Sequence, residues 1–119
     1  MQFLLLIYED EKHYAGSRNG SEMSELGANH MAFGAEIGPK RLAGAGLKTT
    51  DMATTVRTVG GKKTVHDGPF AETKEQLGGY YLIEAASLDD AIAIARKVPL
   101  LKDGSVEVRP LMTMGPPPK

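Results

Sequence analysis

The order of elements along this 119-residue chain predicts an α+β fold: a ferredoxin-like split βαβ with an inserted β-hairpin. Three observations carry that expectation. Residues 2–8 (QFLLLIY) and 79–86 (GYYLIEAA) are apolar runs with the length and flanks of strands. Two longer segments, 21–37 and 88–98, repeat apolar residues at helical spacing. Between them Gly60-Gly61 joins TTVRTV to KKTVH, the pattern of a two-residue hairpin turn.

Taken in order, residues 2–8 alternate, with Leu4, Leu6 and Tyr8 facing one way and Phe3, Leu5 and Ile7 the other. Residues 11–20, with Gly16, form a polar loop. Met23, Leu26, His30, Phe33 and Ile37 make one helical stripe, with Ser21 as its N-cap and Gly38-Pro39 as its stop. Gly27 and Gly34 weaken that helix by up to about 1 kcal/mol each relative to alanine. Residues 41–48 (RLAGAGLK) are a small-residue strand or loop. The hairpin turn sets a register of Val59 with Lys62, Arg57 with Thr64 and Thr55 with His66. Ser87 to Asp90 form a capping motif for a helix buried along Leu88, Ala91, Ile92, Ala95 and Val98 and closed by Pro99. Residues 105–110 alternate as a last strand, and MGPPPK is a polyproline-like tail. One domain over 1–111 with a tail over 112–119 is the expected organisation.

Composition narrows the function. A net charge of −1 argues against a protein that works by neutralising phosphates, so direct nucleic-acid contact is not expected. The absence of cysteine removes disulfides, thiolate nucleophiles and cysteine-ligated metals. The apolar run from Phe3 to Tyr8 is too short for a signal-peptide core and lacks a basic flank. No segment reaches the roughly 20 apolar residues that span a bilayer, so a cytoplasmic domain without membrane contact is expected. The histidines and carboxylates show no HExxH or HxH spacing, and Gly78-Gly79 lack the strand–GxGxxG–helix context, so neither a metal nor another cofactor is expected. The glycine pair fits a close backbone approach or a bulge instead.

Two helices cover one face of a sheet, yet the strands at 2–8 and 79–86 are apolar on both. A second copy of the chain is the expected cover, giving a homodimer; the chain's own loops are the alternative.

The segments TTVR (54–57), DGPFAETKEQLGGYYLIEA (67–85), SLDDAIAIA (87–95) and GSVEVRPL (104–111) resemble the YCII-related family, in particular its DGPF-domain group. The resemblance runs from Gln2 to about Leu111. It implies a dimeric α+β barrel and a bacterial protein, in a group some of whose members lie beside or are fused to alternative sigma factors. Members of the wider barrel superfamily include small-molecule monooxygenases, lyases and isomerases, and YCII-type relatives carry a His–Asp pair as candidate active-site residues.

The residues themselves offer several candidates, each with an ordinary alternative. The predicted hairpin register puts Thr55, Arg57, Thr64 and His66 on one face, where Arg57 could clamp an anionic or enolic ligand. A solvated hairpin face explains the same pattern. Asp67 is a candidate general base, with His30 or His66 as its partner, or simply a turn cap. His66 and Asp67, adjacent in a strand, point to opposite faces. His30 lies on an apolar stripe, the usual place of a satisfied core histidine. Phe70 is a ligand wall or an aromatic plug set by Pro69, and Tyr81 a ligand hydrogen bonder or core. Glu72, Lys74 and Glu75 read as a solvated turn or a charged rim.

Two functions follow. One is a cofactor-free lyase or isomerase working by acid–base chemistry between the sheet and the first helix. The other is a non-catalytic ligand-binding or regulatory module acting with a sigma factor.

Overall fold

Strand β1 (Gln2–Glu9) runs through the middle of the molecule, bonded on one side to β5 (Gln76–Glu84) and on the other to β6 (Gly104–Pro110). Strand β2 (Arg41–Gly46) adds to the outer edge of β5, so the antiparallel sheet reads β2-β5-β1-β6. That is the strand order of a split βαβ fold, as the element order predicted. This computed structural model describes residues 1–15 and 21–112. The expected MGPPPK tail lies outside the described residues, as do residues 16–20 of the expected loop at 11–20 and the side chain of the expected Ser21 cap.

Helices α2 (Ser21–Ile37) and α3 (Leu88–Ala95) lie on one face of the sheet. Phe3, Leu5 and Ile83 are wholly buried beneath them, each removing apolar surface worth about 1.5–3 kcal/mol. Phe33 and Ile37 reach this core from α2, and Ala91 and Ile94 from α3. Register explains the choice of residues: Phe3 faces Ile83 and Leu5 faces Tyr81 across β1–β5, while Leu5 faces Val108 across β1–β6. Leu4, Leu6, Tyr8, Tyr80 and Leu82 occupy the alternate positions and stay partly exposed on the other face.

The differences from expectation are local. Strand β5 starts at Gln76, because Leu77 pairs with Tyr8 and Gly79 with Ile7. Gly78 is left as the bulge between them, the role expected of the glycine pair. In α3 the Ser87 hydroxyl accepts from the Asp90 amide at 3.2 Å, as the capping motif predicted. Ala91 and Val98 are buried as expected and Ala95 packs against the core; Ile94 joins them, while Leu88 is exposed. A single helical turn, α1 (Lys12–Ala15), follows β1, where Asp10 accepts from the Lys12 amide at 3.0 Å.

Strands β3 (Thr54–Val59) and β4 (Lys62–Asp67) form a separate two-stranded sheet. Its register is the predicted one, with Val59 opposite Lys62 and Arg57 opposite Thr64. Gly60 and Gly61 have φ of 58° and 80°, a left-handed pair that an L side chain resists and that matches the twist of a tight hairpin. Among the described residues no helix is long and apolar enough to cross a membrane.

Candidate functional site

A cavity of about 500 Å³ opens between α2 and the β2–β5 half of the sheet. Its wall brings together His30 from α2, Tyr81 from β5, Arg41 from β2 and Glu9 from the end of β1. His30 Nδ1 and the Tyr81 hydroxyl are 2.7 Å apart, with the two rings 25° from parallel. Phe33 packs obliquely on the same tyrosine, at 5.0 Å between centroids, and holds it on the core side. The Arg41 guanidinium sits 5.7 Å from the centre of that ring, within cation–π range.

Local sequence makes this possible. Gly44 is the cross-strand partner of Tyr81. A Cβ at 44 would lie 2.6 Å from Tyr81 Cδ1, so only glycine lets the phenol lie flat across β2. Arg41 is bent back onto the same strand, its guanidinium donating a long 3.4 Å bond to the Gly44 carbonyl.

Burial depresses the His30 pKa below 6.5, outweighing the Glu9 carboxylate and the Pro99 backbone, which both favour the charged ring. In the Nε2–H tautomer of the neutral ring, Nδ1 accepts from the Tyr81 hydroxyl; in the Nδ1–H tautomer it donates to it. Burial likewise raises the Tyr81 pKa, with Arg41 pulling the other way. The pair at neutral pH is therefore imidazole and phenol, not imidazolium and phenolate. Glu9 is buried, and its Oε2 accepts from the Leu101 amide at 2.9 Å. Glu11, further along the wall, accepts from the amide and the hydroxyl of Thr50.

The depressed His30 pKa ties stability to pH. Its folded pKa lies below the 6.5 of the unfolded chain, so between the two the unfolded state binds more protons. The stabilising contribution is complete above 6.5 and is lost as pH falls through the folded value. Urea titrations between pH 7.5 and about 5 should show the wild type losing more stability than His30→Asn, which has no proton to take up.

A model of the YCII-related domain matches residues 1–115. An uncharacterized protein of Rhizobium meliloti (strain 1021) is 42% identical over 123 residues, covering 98% of this chain and 96% of that protein. The chain belongs to the YCII-related family.

In this YCII-related chain, the residues singled out from sequence fall into two places. His30 and Tyr81 meet on the cavity wall. Arg57, His66, Asp67 and Phe70 lie instead on the β3–β4 hairpin and the corner after it, all four exposed. Arg57 Nη2 donates to the Phe70 carbonyl at 2.9 Å. Thr55 donates to the Gly68 carbonyl at 2.7 Å, so the two side chains strap the corner to the hairpin. The plug expected of Phe70 is absent within one chain, where the ring is 77% exposed, because the strapped corner has no core beneath it. Asp67 does not cap the amide that follows it. The Gly68 N–H goes to the Ala53 carbonyl at 2.7 Å, closing the base of the hairpin with backbone alone. A second, more open hollow lies beside this corner, lined by Pro69, Glu72 and Asp51, and shares Glu11, Thr49 and Gln76 with the first.

Two wall residues carried sequence signals that were easy to pass over. Glu9 continues the alternation Phe3, Leu5, Ile7 onto the buried face, although it opens an acidic run that reads as a solvated boundary. Arg41 begins a strand of alanines and glycines, and such small residues mark a place where a large neighbour crosses the strand. Among the described residues no group of three or more histidines or carboxylates could hold a metal ion.

Proposed function

We propose that the cavity between α2 and β5 is an acid–base site for a small organic anion with an acidic C–H bond, and that the chemistry is of the lyase or isomerase kind. The 2.7 Å contact between His30 Nδ1 and the Tyr81 hydroxyl, on the wall of a cavity of small-molecule size, carries this reading. The neutral imidazole is the base. As the substrate C–H bond breaks, the Tyr81 oxygen takes that proton and passes its own to Nδ1. The products of the step are an enolate and an imidazolium, with Tyr81 restored as a phenol. Return of the proton at a different carbon completes an isomerisation; loss of a β-substituent from the enolate completes a lyase reaction.

Arg41 supports the assignment by placing a fixed positive charge beside the phenol, where an enolate or carboxylate oxygen would lie. Glu9 and the Pro99 carbonyl favour the transient imidazolium that burial alone would make costly. Lys48 lines the same cavity and adds to the positive rim. We further propose that the open sheet face, with Leu4, Leu6, Tyr8, Tyr80 and Leu82, is covered by a second copy of the chain in a two-fold dimer.

Incubation in D2O with 2-oxo acids, 1,3-dicarbonyl compounds and unsaturated carboxylates tests the chemistry. Loss of a C–H signal by proton NMR is expected for at least one of them. Arg41→Ala should raise the apparent KM for that compound about 10- to 100-fold, the range for losing a hydrogen bond to a charged group. Binding without exchange would make the protein a ligand-binding module; neither binding nor exchange would remove the cavity from consideration.

A further inference from the structure

The cavity between α2 and β5 is lined by Gly27, Gly44, Gly46, Gly78 and Gly79. The chain itself accounts for three of them. Gly44 makes way for the Tyr81 ring, Gly78 is the bulge, and a Cβ at Gly79 would lie 3.0 Å from the Ala45 carbonyl oxygen. Gly27 and Gly46 are different. Neither has a positive φ, and a Cβ at either would meet no atom of the rest of the described chain within 4 Å. Glycine inside a helix also weakens it, so alanine would suit position 27 of α2 better on local grounds. Backbone and packing therefore require glycine at neither position, and what the two share is the cavity wall.

Register places them on facing walls. Gly34 of α2 lies against the Arg41 stem, where a Cβ would be 3.6 Å from Cδ. His30 meets Tyr81, whose cross-strand partner is Gly44. Going back along α2 from Gly34 through His30 to Gly27 thus follows β2 from Arg41 through Gly44 to Gly46, the partner of Gly79. Residues two apart share a face of a strand, so the Gly46–Gly79 rung continues the surface on which the Tyr81 ring lies. That rung carries no side chain. Beyond the phenol, then, helix backbone faces sheet backbone across a slot. Its edges are apolar: Ile7, the β1 partner of Gly79, and Met23 and Leu26 of α2.

We propose that this slot holds a flat apolar ring of the substrate, which makes the substrate an aryl-substituted 2-oxo acid whose acidic C–H lies between the ring and the oxo group. This rests on the acid–base reading of His30 and Tyr81 and adds the substrate class. Two facing glycine backbones leave a gap that suits a plane better than a branched chain. With the carboxylate at Arg41 and the ring beyond Tyr81, the carbon between them comes to the phenol oxygen. Size agrees. A cavity of about 150 Å³ takes benzene, and this one, of about 500 Å³, has room for a ring and an acid head together. The C–H bond breaks, its proton reaches Nδ1 by way of Tyr81, and delivery of a proton from there to the enolate oxygen gives the enol. That is an isomerisation with no second reactant.

Phenylpyruvate and pyruvate are the probes, followed by C–H exchange in D2O with each rate taken over its buffer-only value. The unreactive 3-phenylpropanoate, titrated by calorimetry, reads binding alone. Wild type should favour phenylpyruvate in kcat/KM by at least about tenfold, and Gly27→Ala should lower that ratio by about 10- to 200-fold, the range for one methylene in an apolar pocket. Affinity for 3-phenylpropanoate should fall with it, while the thermal midpoint equals or exceeds that of wild type, since alanine favours the helix. Gly46→Ala, on the opposite wall, should lower the ratio as well. Gly34→Ala, the same change in the same helix outside the cavity, should not. A ratio unmoved in both Gly27→Ala and Gly46→Ala, or lowered equally in Gly34→Ala, overturns the slot while exchange itself upholds the acid–base site. Binding of 3-phenylpropanoate that weakens in Gly27→Ala, without exchange on either oxo acid, upholds the ring slot and overturns the chemistry. Neither exchange nor binding overturns both.

Discussion

In the His30→Asn variant, proton exchange on the responsive substrate is expected to slow by about 10²- to 10⁴-fold, the usual contribution of a positioned general base. Asparagine places an amide oxygen near the position of Nδ1, so it still accepts from the Tyr81 hydroxyl. What it loses is the capacity to be protonated. The fold, the cavity and ligand affinity should therefore survive while exchange does not. Tyr81→Phe should cost a similar factor by removing the relay atom. The two act as one unit, so the double variant should be hardly slower than either single variant. A His30→Asn rate within tenfold of wild type would show that the base lies elsewhere.

Gly44→Val is expected to have the largest combined effect, although it alters no titratable group. Its first side-chain carbon would stand 2.6 Å from Tyr81 Cδ1 and 3.0 Å from Cε1, and two further methyls must also find room. The phenol must leave the surface of β2, where Phe33 and the core press it from the other side. Overpacking of this kind costs about 1–3 kcal/mol. A urea unfolding curve should show that loss as a lower midpoint with an unchanged slope. Exchange activity should fall with it, since the tyrosine can no longer meet Nδ1. Wild-type stability and activity in this variant would show that the ring has room, contrary to the geometry described above.

The fold was legible in the sequence wherever a local rule and a tertiary one coincide. Alternation in residues 2–8 grouped Phe3, Leu5 and Ile7 on one face, and that face is the buried one, because a period of two leaves a strand no other choice once one face is covered. The register of β3–β4 followed from the Gly60-Gly61 turn alone. The site was legible only in pieces. His30 and Tyr81 were each visible as candidates, but their meeting depends on how α2 lies over β5, a packing angle no local pattern encodes. Arg57 shows a different gap: the predicted register was right, but the bond from its guanidinium to the Phe70 carbonyl depends on the fold of the corner, which no local pattern encodes. Glu9 was hidden by its neighbours, since Asp10, Glu11 and Lys12 make a run that looks solvated. Leu88 shows the limit of helical periodicity, which gives the stripe but not the few tens of degrees that decide which edge residue is left out.

A nitrogen-resolved NMR titration of the histidine rings tests the central claim directly, and with three histidines in the chain each can be assigned by a single substitution. For His30 a midpoint below 6.5 is expected and, at neutral pH, an unprotonated Nδ1 whose shift moves in Tyr81→Phe. A midpoint at or above 6.5, or a proton resident on Nδ1, would contradict it.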